Sequence, residues 1–212
     1  MNLEAYLKIK EEIGSKACLI AVSKGQPIQK ILGLYNEGHR NFGENFLQEL
    51  SEKKAQLPND IKWHFLGNIQ SNKLPEIVKA SHIIHSVSRH KIYKLLVNGV
   101  SEVSVNILLQ LKLGSEQTKS GFSEDEILDI VEKHDKQSKI KIKGIMVISE
   151  NNIDSSEIKL QFQQARRLFE KTKKINDEIE IISMGMSSDY HEALSCNSNM
   201  VRLGTVIFGE RE

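Results

Sequence analysis

Met200-Val201-Arg202-Leu203-Gly204-Thr205-Val206-Ile207-Phe208-Gly209-Glu210-Arg211-Glu212 ends the chain, and its reading decides the fold. Met200–Leu203 is the last of eight short β-type runs. The others are Cys18–Ser23, His39–Phe42, Trp63–Leu66, Ile83–Val87, Val105–Leu111, Ile142–Val147 and Ile179–Ser183. Helical periodicity fills the intervals at Ile28–Asn36, Glu44–Lys54, Leu74–Ala80, Arg89–Asn98, Glu124–Lys133, Ser155–Lys174 and Tyr190–Cys196. Such alternation suits a closed (β/α)8 barrel or an open doubly wound sheet. Only nine residues, 204–212, follow Leu203, too few for an eighth outer helix. The amphipathic N-terminal segment, with Leu3, Tyr6, Leu7, Ile9 and Ile13, is expected to cover that gap from outside. No Gly-x-Gly-x-x-Gly follows any run to mark a dinucleotide-binding crossover. The expectation is one TIM-type (β/α)8 barrel over residues 1–212, its outer ring closed by the N-terminal helix.

The composition narrows the function. With 29 Lys+Arg against 28 Asp+Glu, the net charge of +1 argues against nucleic acid or an anionic membrane as the main partner. Hydrophobic residues at 39% and charged residues at 27% are ordinary for a globular chain. The longest apolar run, Ala17–Val22, has six residues and cannot cross a bilayer. Met1–Gly14 lacks the apolar core of a signal peptide, and two cysteines make no disulfide framework. The chain reads as cytoplasmic.

Reactive groups of such barrels gather at the C-terminal strand ends. Lys24 ends the first run, where apolar walls favour the neutral amine that attacks carbonyls. The plainer alternative is a solvated lysine in an ordinary loop. Ser183-Met184-Gly185-Met186-Ser187 and Arg202-Leu203-Gly204-Thr205 end the last two runs, the usual place of a phosphate cradle. Gly185 and Gly204 let backbone amides approach an anion, and the Ser183 and Thr205 hydroxyls add donors. Closure brings the eighth strand beside the first, so Lys24, Arg202 and the cradle share one rim. An amine, an anion cradle and a guanidinium suit an aldehyde that carries a phosphate, of which pyridoxal 5′-phosphate is the common case. Arg202 cannot release its proton at neutral pH, so it would donate to an unprotonated pyridine nitrogen and leave the ring a poor electron sink.

Long motifs in order carry a resemblance over nearly the whole chain. They are Ala21-Val22-Ser23-Lys24, Asn41-Phe42-Gly43-Glu44-Asn45, Trp63-His64-Phe65-Leu66-Gly67-Asn68-Ile69-Gln70-Ser71-Asn72-Lys73, Thr118-Lys119-Ser120-Gly121, Ser183-Met184-Gly185-Met186-Ser187 and Val201-Arg202-Leu203-Gly204-Thr205-Val206-Ile207-Phe208-Gly209. The sequence resembles the pyridoxal-phosphate homeostasis protein family, relatives of the barrel domain of alanine racemase. The resemblance implies pyridoxal 5′-phosphate as cofactor, held as an imine on Lys24, with Ser183, Gly204 and Thr205 at the phosphate. It further implies Arg202 at the pyridine nitrogen and Asn45 beside the cofactor, while no Asp/Glu/His set completes four metal ligands. The function it implies is intracellular vitamin B6 homeostasis by a monomer without established catalysis, with apo-enzymes as recipients. Against the family's pattern, Lys112 replaces an asparagine, Ser88 an aspartate, and Asn197 a glycine whose turn asparagine also tolerates.

Other constellations have simpler readings. His82 and His85, three apart, would face opposite sides of a strand, so one metal would not see both. His64 reads equally as a pocket residue or a hydrogen-bonded core histidine. The competing function is a pyridoxal-phosphate enzyme such as an amino-acid racemase. Racemisation by the alanine-racemase route takes its second base from a domain after the barrel, and this chain stops at Glu212, which favours the carrier.

Overall fold

The computed structural model describes residues 1–99, 104–114, 120–150 and 152–210. Thr118 and Lys119 of the fourth motif lie outside the described residues. Eight strands, β1 (Cys18–Val22), β2 (Asn41–Glu44), β3 (Lys62–Phe65), β4 (Ile83–Val87), β5 (Val105–Leu111), β6 (Ile140–Val147), β7 (Ile181–Ser183) and β8 (Met200–Leu203), form a closed parallel barrel in sequence order. Closure runs through β1 and β8, with Cys18 opposite Met200 and Ile20 opposite Arg202. The surrounding helices are α1 (Leu3–Ile13), α2 (Ile28–Asn36), α3 (Leu47–Gln56), α4 (Leu74–Ala80), α5 (His90–Gly99), α6 (Glu124–Lys133), α7 (Ser155–Ile175) and α8 (Tyr190–Ser195), followed by the single turn α9 (Thr205–Phe208).

Parallel strands are covered on both faces, which is why Ile83–Val87 is buried at every position. Helix starts are set by local chemistry. Ser123 with Glu126 and Asp154 with Glu157 form capping boxes at α6 and α7. Helix α7 turns Phe162, Ala165, Leu168 and Phe169 to the main core between barrel and helices. Ile83, Leu108 and Met146 make a separate small cluster, with Ile181 packed against it.

Helix α1 closes the ring as expected, burying Tyr6, Ile9 and Ile13. The Tyr6 hydroxyl meets His39 Nδ1 at 3.3 Å on one side, and the Tyr190 hydroxyl donates to Glu12 at 3.2 Å on the other. The Asn2 amide donates to the Ile207 carbonyl at 2.7 Å, tying α1 to α9.

The second strand differs most from expectation. It covers Asn41–Glu44 instead of His39–Phe42, and α3 begins at Leu47 instead of Glu44. Glu44 is buried against Ser23 and Lys53, so a carboxylate typical of a helix surface ends a strand instead. The seventh strand starts late because the Ile179 amide donates back to Asn176 in a turn. The short turns at Ser71–Lys73 and Thr205–Phe208 carry too few residues to show a period. Asn197 takes φ 60°, the left-handed turn anticipated for it. Among the described residues, no helix is long and apolar enough to cross a membrane.

Candidate functional site

A cavity of about 450 Å³ opens at the C-terminal strand ends. It brings together Lys24 after β1, Asn45 after β2, Leu66 after β3, Met186 and Ser187 after β7, and Arg202, Gly204 and Thr205 from β8 onward. Five of the six residues expected at the site, Lys24, Asn45, Arg202, Gly204 and Thr205, thus line one cavity.

Lys24 sits half-buried in the turn after β1, and the residues on both sides of it are tied down. The Ser23 hydroxyl donates to Glu44 Oε1 at 2.6 Å, and Lys53 Nζ donates to the Ser23 carbonyl at 2.6 Å. The Gly25 amide donates to Glu49 Oε1 at 2.6 Å, and Lys53 also reaches that carboxylate at 2.7 Å. Burial lifts the Glu44 carboxyl to about 7, against the opposing pull of Lys53 and Ser23.

Arg202 reaches the cavity from inside the barrel. Its Nη1 donates to the Ser183 carbonyl at 2.9 Å and the Ser183 hydroxyl at 2.7 Å, and its Nη2 donates to the Val147 carbonyl at 2.8 Å. Desolvation lowers its pKa to about 10, so it keeps its proton at neutral pH. Three of its five N–H donors are engaged in these contacts.

In the loop after β7, Gly185 takes φ +101°, and a Cβ there would come within 2.7 Å of Ala193 Cβ. Asp189 braces the loop beyond it, accepting from the Met186 amide and the Ser149 hydroxyl at 2.6 Å each. The loop presents Ser187 and Ser188 to the cavity, with Ser187 Oγ at 3.4 Å from the Gly204 amide.

Ser183 is elsewhere. Its pairing with Met200 sets it one inward-facing step deeper than Arg202. It is fully buried beneath the cavity, its hydroxyl held between Arg202 and His85. The lining hydroxyls after β7 are Ser187 and Ser188, and Ser187 already stood in the fifth motif. Register was the missing signal, because it decides how far past the strand end the cavity begins. Lys112 does not line the cavity.

His64 is a buried, hydrogen-bonded interior residue, paired with His85 at 2.9 Å. His82 precedes β4 instead of lying in it, and its ring centroid stands 6.0 Å from that of His64, so strand alternation does not describe it. Among the described residues, no three His, Cys, Asp or Glu side chains are placed to hold a metal.

Comparison with known proteins agrees with this architecture. The family model for the alanine racemase N-terminal domain matches residues 4–212. A protein of Haemophilus influenzae named pyridoxal phosphate homeostasis protein is 32% identical, the match covering 100% of this chain and 97% of its own. One of the same name from Schizosaccharomyces pombe is 33% identical over 93% of this chain and 86% of its own. These relatives are named for homeostasis and not for an enzymatic reaction. The structure of PipY from Synechococcus elongatus without PLP superposes with a TM-score of 0.91 at 31% identity, covering 99% of this chain and 100% of that one. The same protein with PLP bound gives 0.87 at 31% identity, covering 97% and 99%. Alanine racemase of Corynebacterium glutamicum, 16% identical, shares the fold at a TM-score of 0.79, covering 98% of this chain and 60% of that one. The chain belongs to the alanine racemase N-terminal domain family, in the branch of the pyridoxal phosphate homeostasis proteins.

Proposed function

We propose that the chain binds pyridoxal 5′-phosphate in this cavity and serves intracellular vitamin B6 homeostasis as a monomeric, cytoplasmic carrier. The observation that carries the reading is the single cavity shared by Lys24, Arg202 and the Ser187–Gly204–Thr205 wall. Lys24 holds the aldehyde carbon as an imine. Ser187, Thr205 and the amides around Gly204 take the phosphate, where a Cβ on Gly204 would stand 3.2 Å from the Val22 carbonyl. Asn45 lies beside the ring, and the remaining guanidinium donors of Arg202 face its nitrogen. The cofactor itself supplies an electron-withdrawing ring, and Arg202 keeps that ring nitrogen unprotonated. Apo forms of pyridoxal-phosphate enzymes are the recipients.

The racemase alternative needs two bases on opposite faces of the ring. Among the described residues lining the cavity, Lys24 is the single amine, and no carboxylate, histidine, tyrosine or cysteine joins it. The relatives named for homeostasis support a carrier over a racemase. Titration of the purified protein with pyridoxal 5′-phosphate tests the binding: an imine absorption band should appear and saturate, and Lys24→Ala should abolish it. An unchanged band in that variant contradicts the assignment.

A further inference from the structure

A line of polar side chains crosses the barrel interior, where such barrels usually stack aliphatic layers. It starts at the cavity with Arg202, whose Nη1 donates to Ser183 Oγ at 2.7 Å. Ser183 Oγ stands 3.3 Å from His85 Nδ1, and His85 Nε2 stands 2.9 Å from His64 Nδ1. His64 Nε2 ends the line 3.3 Å from Asn41 Oδ1 on β2. Ser183, His85 and His64 are all shut off from solvent.

Proton counting fixes the direction of every bond. A guanidinium only donates, so the Ser183 hydroxyl accepts from Arg202 and keeps one proton to give. The acceptor at hand is His85 Nδ1, which must then be bare. A neutral His85 carries its proton on Nε2 and donates to His64 Nδ1. His64 in turn donates from Nε2 to the Asn41 carbonyl oxygen. Reversing the line would leave the Ser183 proton without an acceptor among these groups. In this arrangement a charged His64 would set its Nδ1–H against the His85 Nε2–H, and a charged His85 would set its Nδ1–H against the Ser183 hydroxyl proton. Burial acts the same way, holding His85 well below its ordinary range and His64 down to about 3.

We propose that His85 is a positioning residue for Arg202: by taking the Ser183 proton it turns that hydroxyl's lone pair to the guanidinium and aims the arginine at the ring nitrogen of the bound cofactor. The inference rests on the reading that pyridoxal 5′-phosphate occupies the cavity with its nitrogen at Arg202. Its own content is the relay and the Nε2–H tautomers of both histidines, which exist before any cofactor binds. Without His85 the hydroxyl loses that acceptor and is free to turn its proton toward Arg202.

Two measurements test it. In the apo-protein, nitrogen-15 NMR of the histidine side chains should show His85 and His64 neutral, each with a bare Nδ1 and a protonated Nε2. An Nδ1–H tautomer or a doubly protonated ring at neutral pH overturns the relay, whatever the cavity binds. The second compares pyridoxal 5′-phosphate with its 1-deaza analogue, in which a C–H replaces the ring nitrogen. His85→Leu should weaken binding of the cofactor roughly tenfold while changing the analogue by less than about twofold. His85→Asn, whose carbonyl reproduces the Nδ1 acceptor, should restore the preference. Wild-type protein that binds both compounds equally, with the tautomers as stated, removes Arg202 from the ring nitrogen and the positioning role with it. A wild-type preference that His85→Leu leaves intact overturns the positioning role alone.

Discussion

Lys53 Nζ stands 2.8 Å from Glu44 Oε1, and both side chains are almost wholly withdrawn from water. The pair links the end of β2 to α3 and holds the hydroxyl and carbonyl of Ser23, the residue before Lys24. Two buried charges cost desolvation that their attraction repays only with good geometry and further hydrogen bonds. Here the partners are unevenly shared: Oε1 takes both Lys53 and Ser23, while Oε2 has no hydrogen-bond partner. That imbalance fits the raised Glu44 pKa. The pair fixes the turn that carries Lys24.

Breaking the pair from one side should be costly. Lys53→Met leaves Glu44 buried without its cation and should lower unfolding free energy by about 3–5 kcal/mol. The double variant Lys53→Met with Glu44→Leu should recover most of that loss. Urea denaturation of the three proteins checks both points, and equal losses in the single and double variants contradict the account.

The anion wall should be read by the phosphate alone. Ser187→Ala and Thr205→Val should each weaken pyridoxal 5′-phosphate binding by about 1.5–3 kcal/mol, the range for hydrogen bonds to charged groups. Pyridoxal, which lacks the phosphate, should bind these variants almost as it binds the wild type. Ser183→Ala should behave differently, weakening both ligands alike because it acts under the ring through Arg202. Phosphate-specific loss in Ser183→Ala would contradict this placement.

Much of this was legible before the structure. The barrel could be read because parallel strands with both faces covered appear as apolar runs such as Ile83–Val87 and Val105–Leu111. Lys24 and Arg202 could be placed because strand ends mark the rim. The rest depended on pairing across the fold. Glu44 looked like the start of a helix because its partner Lys53 meets it only once α3 folds back against β2. His64 and His85 lie 21 positions apart and meet only when β3 and β4 turn them into one interior. Ser183 sank below the site because of the register between β7 and β8.

The interior histidines should make the protein acid-labile. Burial lowers His39 from 6.5 to about 4 and His64 to about 3, with His85 well below its ordinary value. The unfolded chain therefore binds protons that the native state refuses, so their stability contribution is complete above pH 6.5 and lost as pH falls below it. Glu44, raised from 4.5 to about 7, acts in the opposite sense, its contribution being lost as pH rises through that interval. With His82 also lowered by burial, the histidines outweigh the one raised carboxylate, and stability should fall as pH drops from 7 to 5.5. Urea midpoints at pH 7 and 5.5 check it. Stability that is flat over this range, or that rises toward acid, contradicts the account.

Racemisation should be slow or absent. Incubated with L-alanine in deuterated water, the holo-protein should give at most α-deuterium exchange with retained configuration, since Lys24 serves one face of the ring. A missing general base typically removes about 10²–10⁴ in rate. Inversion at roughly 1 s⁻¹ or faster would restore the enzyme reading.

Chemical trapping reads out whether Lys24 carries the cofactor. The protein is saturated with pyridoxal 5′-phosphate, reduced with borohydride, and mapped by peptide mass spectrometry. One dominant phosphopyridoxyl group on Lys24 is the expected result. Modification mainly at Lys112 or Lys73, or spread evenly over the surface lysines, would contradict it.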